Sequence, residues 1–267
     1  MGKTQQIIER RVDELRQNMF VIHQLVIRDK KRSLSSTFMG ELWEVINPLI
    51  NMVVMVLVFG KMFGDGSSSR FPLYVLTGTT IYGLFTSGTT MCLNALMGNK
   101  NFLIKTQLRK NVYVDQKILL AFRNFLFSLM IYAFVIALYR IRPSVTWLLF
   151  IPDILLMLVM MLGIGKILAV INVTFADITY FYKIFTLFLM YRSAIFYRVD
   201  RLSPTMQKCM TILNPLYTVI SIARECVMER MYPNWKLWAI ASVYAAGCYI
   251  VGTIFFNRKI EDIVAKM

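Results

Sequence analysis

Apolar residues run in blocks along this chain, separated by short basic or turn-forming stretches. A helix that crosses a bilayer needs about 20 mostly apolar residues. Six stretches qualify: 45–62, 71–97, 117–139, 147–173, 178–196 and 237–256. The last is the cleanest, because Leu237 to Phe256 is twenty residues without a charge and ends in the basic stop Asn257-Arg258-Lys259. Asn47-Pro48 opens the first stretch, where the missing proline N–H would be an orphan in any residue. The second is rich in Gly, Ser and Thr, which let helices approach closely in lipid. Lys166 lies two turns from the inner end of the fourth and is placed to snorkel there.

Two segments break the pattern. Between the fifth and sixth blocks lie about forty residues, Tyr197 to Lys236, whose apolar part is interrupted by Asn214-Pro215. Broken backbone at membrane depth must be buried in protein or face a cavity. The segment therefore predicts a re-entrant or interfacial pair of helices over about 203–230, with two further full spans as the alternative. Residues 1–44 are polar, with apolar positions at Ile7, Ile8, Val12, Leu15, Phe20, Val21, Leu25 and Val26 near the helical period. This predicts an amphipathic helix on the inner membrane surface, its basic side toward anionic lipid. A soluble coiled-coil arm would need more heptads. The opening Met1-Gly2-Lys3-Thr4 lacks the apolar core of a signal peptide, and Gln6 stands where myristoylation wants Ser or Thr. The predicted fold is an all-α membrane protein. It has six transmembrane helices in a domain over 45–256, an N-terminal interface helix, an outer re-entrant segment before the last span, and a cytoplasmic tail over 257–267.

Composition supports lipid as solvent. Of 267 residues, 57% are hydrophobic and 17% charged, against about 25% in a soluble domain. The net charge of +15 sits between the apolar blocks, which fits basic membrane-flanking loops better than a nucleic-acid surface. Lys and Arg are densest before the first span, where there are eight, and recur at Lys100, Lys105, Arg109 and Lys110 and in the tail. Both termini are thus predicted to be cytoplasmic. Ten basic residues on the predicted outer side, among them Arg192, Arg198, Arg201 and Arg224, run against that rule.

Catalytic motifs are missing. Gly163-Ile164-Gly165-Lys166 lacks the first Gly and the Ser/Thr of a phosphate-gripping loop and reads as small residues for helix packing. His23 is the single histidine, and Cys92, Cys209, Cys226 and Cys248 form no C-x-x-C pair, so no metal site is predicted. Asp153, near the outer end of its span, and Asp177, in a short inner loop, leave no midplane acid for a proton-coupled carrier. If the chain moves a cargo, a partner must supply the energy. The inner loop from Gly98 to Lys110 is the candidate grip, with Phe102, Leu103 and Ile104 flanked by Asn99, Lys105 and Arg109. It reads either as a segment that docks in a groove or as a solvated basic loop.

Four stretches in order resemble one family. Arg28-Asp29-Lys30-Lys31-Arg32 through Gly40, Leu42, Trp43 and Pro48 resembles the opening of polysaccharide-exporting ABC transporter permeases of the Wzm, KpsM and TarG type, and Val58-Phe59-Gly60 resembles the end of their first span. Gly98-Asn99 to Lys105 is similar to their coupling loop, Asn172 to Asp177 to their "N-V-x-x-R-D" and Leu213-Asn214-Pro215-Leu216 to their "L-N-P". Thr106-Gln107 replaces the usual aromatic-proline pair, Ala176 the Arg, and Ser193-Ala194-Ile195-Phe196-Tyr197 lacks the family's proline. The resemblance implies a homodimer that binds two copies of an ABC ATPase subunit. ATP and Mg would sit in that partner and no cofactor in this chain. Arg28, Lys30, Lys31 and Trp43 would belong to the interface helix, and Asn99, Phe102, Leu103, Ile104, Lys105 and Arg109 to the coupling element. Asn214 and Pro215 would form the outer gate. A lipid-linked glycan of O-antigen, capsule or teichoic acid type would pass through a bacterial cytoplasmic membrane. Tyr82, Phe85, Tyr191, Phe196 and Tyr197 are candidates to line its path, with aromatic belts as the alternative. Arg192, Arg198 and Arg201 could attract phosphate or acidic groups on such a cargo. An ABC permease for drugs, peptides or lipids, an ion-coupled carrier and a membrane glycosyltransferase are the other readings.

Overall fold

A computed structural model describes residues 17–31, 46, 49–50, 53–54, 57–58, 70–105, 109–199 and 203–266. All regular structure among them is helical. Residues 17–31 form α1. The described positions from 46 to 58 are helical, and Ile50, Val53, Val54, Leu57 and Val58 are exposed. Then follow α2 (Phe71–Leu93), a 3-10 turn (Met97–Asn99), α3 (Lys100–Lys105) and α4 (Val112–Leu138). A second 3-10 turn (Val145–Leu149) leads into α5 (Phe150–Thr174), and α6 (Ile178–Arg192) follows. Two ten-residue helices come next, α7 (Pro204–Leu213) and α8 (Pro215–Arg224), then a π-helical turn (Glu225–Glu229) and α9 (Trp235–Lys266). Successive long helices run in opposite directions. The bundle therefore has an α1 end, where α2 stops and α4 starts, and a far end, where α7 and α8 lie.

Among the described residues, three helical stretches are long and apolar enough to cross a membrane: Val112–Leu138, Val145–Thr174 and Trp235–Val264. Each exceeds the roughly 20 residues that a bilayer core requires. α9 continues well past Phe256, so the segment expected as a tail is helical through Lys266. α2 has 23 residues but is diluted by Thr, Ser and Gly. α6 has only 15, or about 22 Å of helix against a hydrocarbon core of about 30 Å. α7 and α8 are shorter still, about 15 Å each, which rules out two more full spans between α6 and α9.

α2 is the centre of the bundle and packs on α4, α5 and α8. Its polar residues survive there because they satisfy themselves. Thr77 Oγ1 donates to the Leu73 carbonyl at 2.8 Å, Thr86 to Tyr82 at 3.0 Å and Thr89 to Phe85 at 2.7 Å. Without water, a hydroxyl bonded four residues back costs little, whereas an orphan costs several kcal/mol. Two of the same hydroxyls also reach other helices. Thr77 shares a 2.7 Å bond with Tyr132 on α4, and Tyr182 on α6 donates to Thr89 at 2.7 Å. Asn172, near the end of α5, donates to the Leu93 carbonyl at 2.9 Å and accepts from Thr179 on α6 at 3.0 Å. That residue alone ties three helices together at the α1 end.

The most extensive pairing is α5 with α9, and small residues set it. A methyl group added to Gly163 would overlap the carbonyl of Cys248, and one added to Gly252 would overlap the carbonyl of Gly163. Backbones that touch in this way are the usual means of helix association in lipid. Gly165 faces the other side, where a Cβ would stand 2.7 Å from Cys92 Sγ of α2. Lys166 follows directly, and it does not snorkel. Its ammonium is buried, donates to Thr253 Oγ1 of α9 at 3.0 Å and lies 4.4 Å from the Tyr249 ring centre. The close approach of α9 leaves the side chain no route outward.

Gly163→Ala or Gly252→Ala should therefore force α5 and α9 apart and cost about 1–3 kcal/mol, as overpacking generally does. Gly247→Ala on the same helix, where a Cβ meets nothing within 4 Å, should leave the melting temperature in detergent unchanged. Thermal unfolding of the three variants compares them directly.

Candidate functional site

Polar side chains gather at the two ends of the bundle. At the α1 end, the buried face of α1 is Leu25 and Val26, with Val21 and Ile22 packed against the core. The adjoining positions carry charge inward. Arg28 Nη2 donates to Asn99 Oδ1 at 2.6 Å, and its guanidinium carbon lies 5.2 Å from the Phe102 ring centre. Asn99 is buried and held by its own bond to the Ala95 carbonyl at 2.8 Å. Asp29 Oδ1 accepts from Arg28 at 2.6 and 3.0 Å, while Oδ2 accepts from Lys117 at 2.6 Å and Gln116 at 2.5 Å, both on α4. Burial alone would raise the Asp29 pKa. The bonds from Lys117, Arg28 and Gln116 outweigh it and hold the carboxyl below its ordinary value.

α3 is thus gripped from two sides. Leu103, 2% exposed, plugs it into the core, and Asn99 at its start is clamped by Arg28. Between these anchors Phe102 and Ile104 are 50% and 53% exposed. Lys100 and Arg109 are also exposed. The result is a short helix with a fixed position, two projecting apolar side chains and a basic rim. A solvated loop would not be held in this way.

Lys30 was expected to face anionic lipid. It is buried instead, with its ammonium 5.7 Å from the Phe127 ring centre, because that side of α1 rests on α4. Lys31 stays exposed. Trp43 and the side chain of Lys105 lie outside the described residues.

At the far end, Asn214 organises the α7–α8 junction. Its Oδ1 accepts from the backbone N–H groups of Leu216 and Tyr217, both at 3.2 Å, and caps α8. Pro215 starts that helix, where it lacks only an orphan donor. The Asn214 amide donates to the Arg192 carbonyl and to Ser193 Oγ, both at 3.1 Å, and so fastens the cap to the end of α6. α7 buries no residue, whereas α8 buries seven of its ten. The inward side of α8 ends in Arg224, whose buried guanidinium stacks 3.4 Å from the Tyr74 ring centre. It donates to the carbonyls of Ala194 at 3.1 Å and Tyr74 at 3.2 Å. Gly78 makes room for it, since a Cβ there would stand 2.8 Å from Arg224 Nη2. One of the basic residues that ran against the charge rule is thus a clasp between α2, α8 and the turn after α6. The buried carbonyls just past the C-terminus of α6 suit a cation at that place.

The five aromatic candidates do not share one surface. Phe85 is buried in the core, and Tyr82 is half-buried, donating to the Thr186 carbonyl at 2.8 Å. Tyr191 and Phe196 lie near each other, with ring centres 6.2 Å apart at the far end, and Tyr197 is partly exposed beside them. Of the three arginines proposed to attract phosphate, Arg198 lies 5.9 Å from the Tyr74 ring centre, and Arg201 is outside the described residues. Sequence reasoning gave no role of their own to Asp29, Gln116, Lys117 and Arg224. Two of these carried a signal: Asp29 is the single acid in the run Arg28–Arg32, and Arg224 ends an otherwise apolar stretch.

Among the described residues, a helical bundle with several helices long and apolar enough to cross a membrane and an anchored, apolar-tipped helix at one end fits the membrane component of a transporter. The family model described as "ABC-2 type transporter" matches residues 21–228, and the chain belongs to that family. Its curated relatives include proteins called "O-antigen export system permease protein RfbA". The one from Klebsiella pneumoniae is 25% identical over 232 residues, which cover 86% of this chain and 88% of the relative. The one from Myxococcus xanthus is 25% identical over 254 residues, 94% of this chain and 97% of the relative.

Asn214→Ala should lose the α8 cap and cost about 0.5–2 kcal/mol, read as a lower melting temperature. The contribution of Asp29 has a definite pH sign. Its folded pKa is depressed, so its ion pairs are complete above the ordinary carboxylate value of about 4 and are lost as pH falls through the folded value. Amides of α1 should stay protected from hydrogen exchange at neutral pH and lose protection only in acid.

Proposed function

We propose that this chain is the membrane subunit of an ABC exporter that moves a lipid-linked cell-surface polysaccharide across the bacterial cytoplasmic membrane. Two copies form a homodimer and bind two copies of a separate ATPase subunit, which holds ATP and Mg. The observation that carries the proposal is the anchored α3, with Phe102 and Ile104 projecting beside Lys100 and Arg109. A rigid apolar tip can transmit a push, whereas a free loop would absorb it. Support for the glycan class comes from the relatives named as O-antigen export permeases, which match nearly end to end. In this reading the bundle makes six passes, with both termini cytoplasmic. The α7–α8 pair forms a re-entrant outer gate whose pivot is Asn214-Pro215. Tyr191, Phe196 and Tyr197 border the glycan path at that gate, and Tyr82 and Phe85 shape the wall behind it.

Co-purification with the ATPase encoded beside this chain, followed by ATP hydrolysis and glycan export in proteoliposomes, tests the proposal. The wild type should give a stable two-plus-two complex. Phe102→Asp with Ile104→Asp should weaken the association by about 30-fold, as loss of a 2 kcal/mol interface anchor does, and abolish export. A wild-type chain that binds no ATPase sinks the exporter reading.

A further inference from the structure

We infer that Asp29 is a positioning residue that makes α1, the coupling helix α3 and the start of α4 one rigid lever. This rests on the reading above, in which α3 receives the stroke of the ATPase. The two oxygens of the Asp29 carboxylate face different elements. Oδ1 takes both bonds from Arg28, and Oδ2 takes Lys117 and Gln116 of α4. Arg28 is a long side chain with many rotamers. Its two bonds to Asp29 fix the one in which Nη2 meets Asn99 and the guanidinium covers Phe102. Asn99 can accept only in that direction, because its amide is committed to the Ala95 carbonyl. A continuous polar path therefore runs from Phe102 and Asn99 through Arg28 and Asp29 to Lys117.

The apolar plug of Leu103 also ties α3 to the bundle, but such a contact permits sliding and rotation. Directional hydrogen bonds do not. Asp29 also bridges two cations, Arg28 and Lys117, across a half-buried seam. Such a group acts through its neighbours.

The test uses the full permease–ATPase complex in nanodiscs. Spin labels on exposed Gln24 of α1 and Asn101 of α3, with native cysteines replaced, report the distance between the two elements with and without ATP. The wild type should keep one narrow distance in both states. Asp29→Asn, which keeps the shape and removes the charge, should broaden it and lower glycan exported per ATP hydrolysed on the order of tenfold, a typical size for a lost coupling. Asp29→Glu should recover most of that ratio. Should Asp29→Asn fail to fold, adding Lys117→Met removes the cation left unpaired on α4, and the same distance measurement decides. Equal distance distributions and equal export per ATP in wild type and variant overturn the assignment of Asp29. A wild-type chain that binds no ATPase overturns the exporter reading instead, so the two failures are distinct.

Discussion

The absence of water around the spanning helices governs this structure. In lipid, each polar group needs a partner inside the protein. The Thr-, Ser- and Gly-rich α2 is accordingly enclosed by its neighbours, and its threonines turn their hydroxyls back onto its own carbonyls. The same constraint explains Lys166, which uses a threonine hydroxyl and an aromatic face on α9, and Arg224, which uses the carbonyls of Ala194 after α6 and Tyr74 on α2. Each buried cation sits where two or three elements meet and fastens them. Polar residues in such a bundle act as locators, whereas apolar area against lipid does little to choose one arrangement of helices over another.

Close packing supplies the rest of the specificity. The contact of Gly163 with the α9 backbone brings α5 and α9 within reach of each other. That contact carries Lys166 into the seam and leaves large apolar faces of α4, α6 and α9 outward. The exposed side chains of α6, Phe181, Ile184, Phe185 and Phe188 among them, are what a helix bordered by lipid or by a second copy would present.

Polar contacts hold both ends of the bundle. At the α1 end, charged residues draw α1, α3 and α4 into one cluster, from which Phe102 and Ile104 protrude. At the far end, Asn214 and Arg224 attach two short helices to α2 and α6 while leaving α7 on the surface. Between them run the long helices α2, α4, α5 and α9.

Much of this was legible in the chain itself. The length and polarity of the apolar blocks determine the long helices, because a bilayer demands about 20 apolar residues whatever their neighbours. Asn214-Pro215 marks a helix junction, since a side-chain cap followed by proline is a local signal. The exposed positions of α3 could not be read in advance, because Phe102, Leu103 and Ile104 are alike in polarity and only the packing of Leu103 separates them. Tertiary structure alone also turned Lys30 inward, buried Phe85, and joined Asp29 to Lys117 across 88 residues of sequence. Sequence settles what each segment can do in lipid, because solvation is a property of the residues. Which side chain meets which depends on helix rotation and approach, and those are set by contacts between residues far apart in the chain.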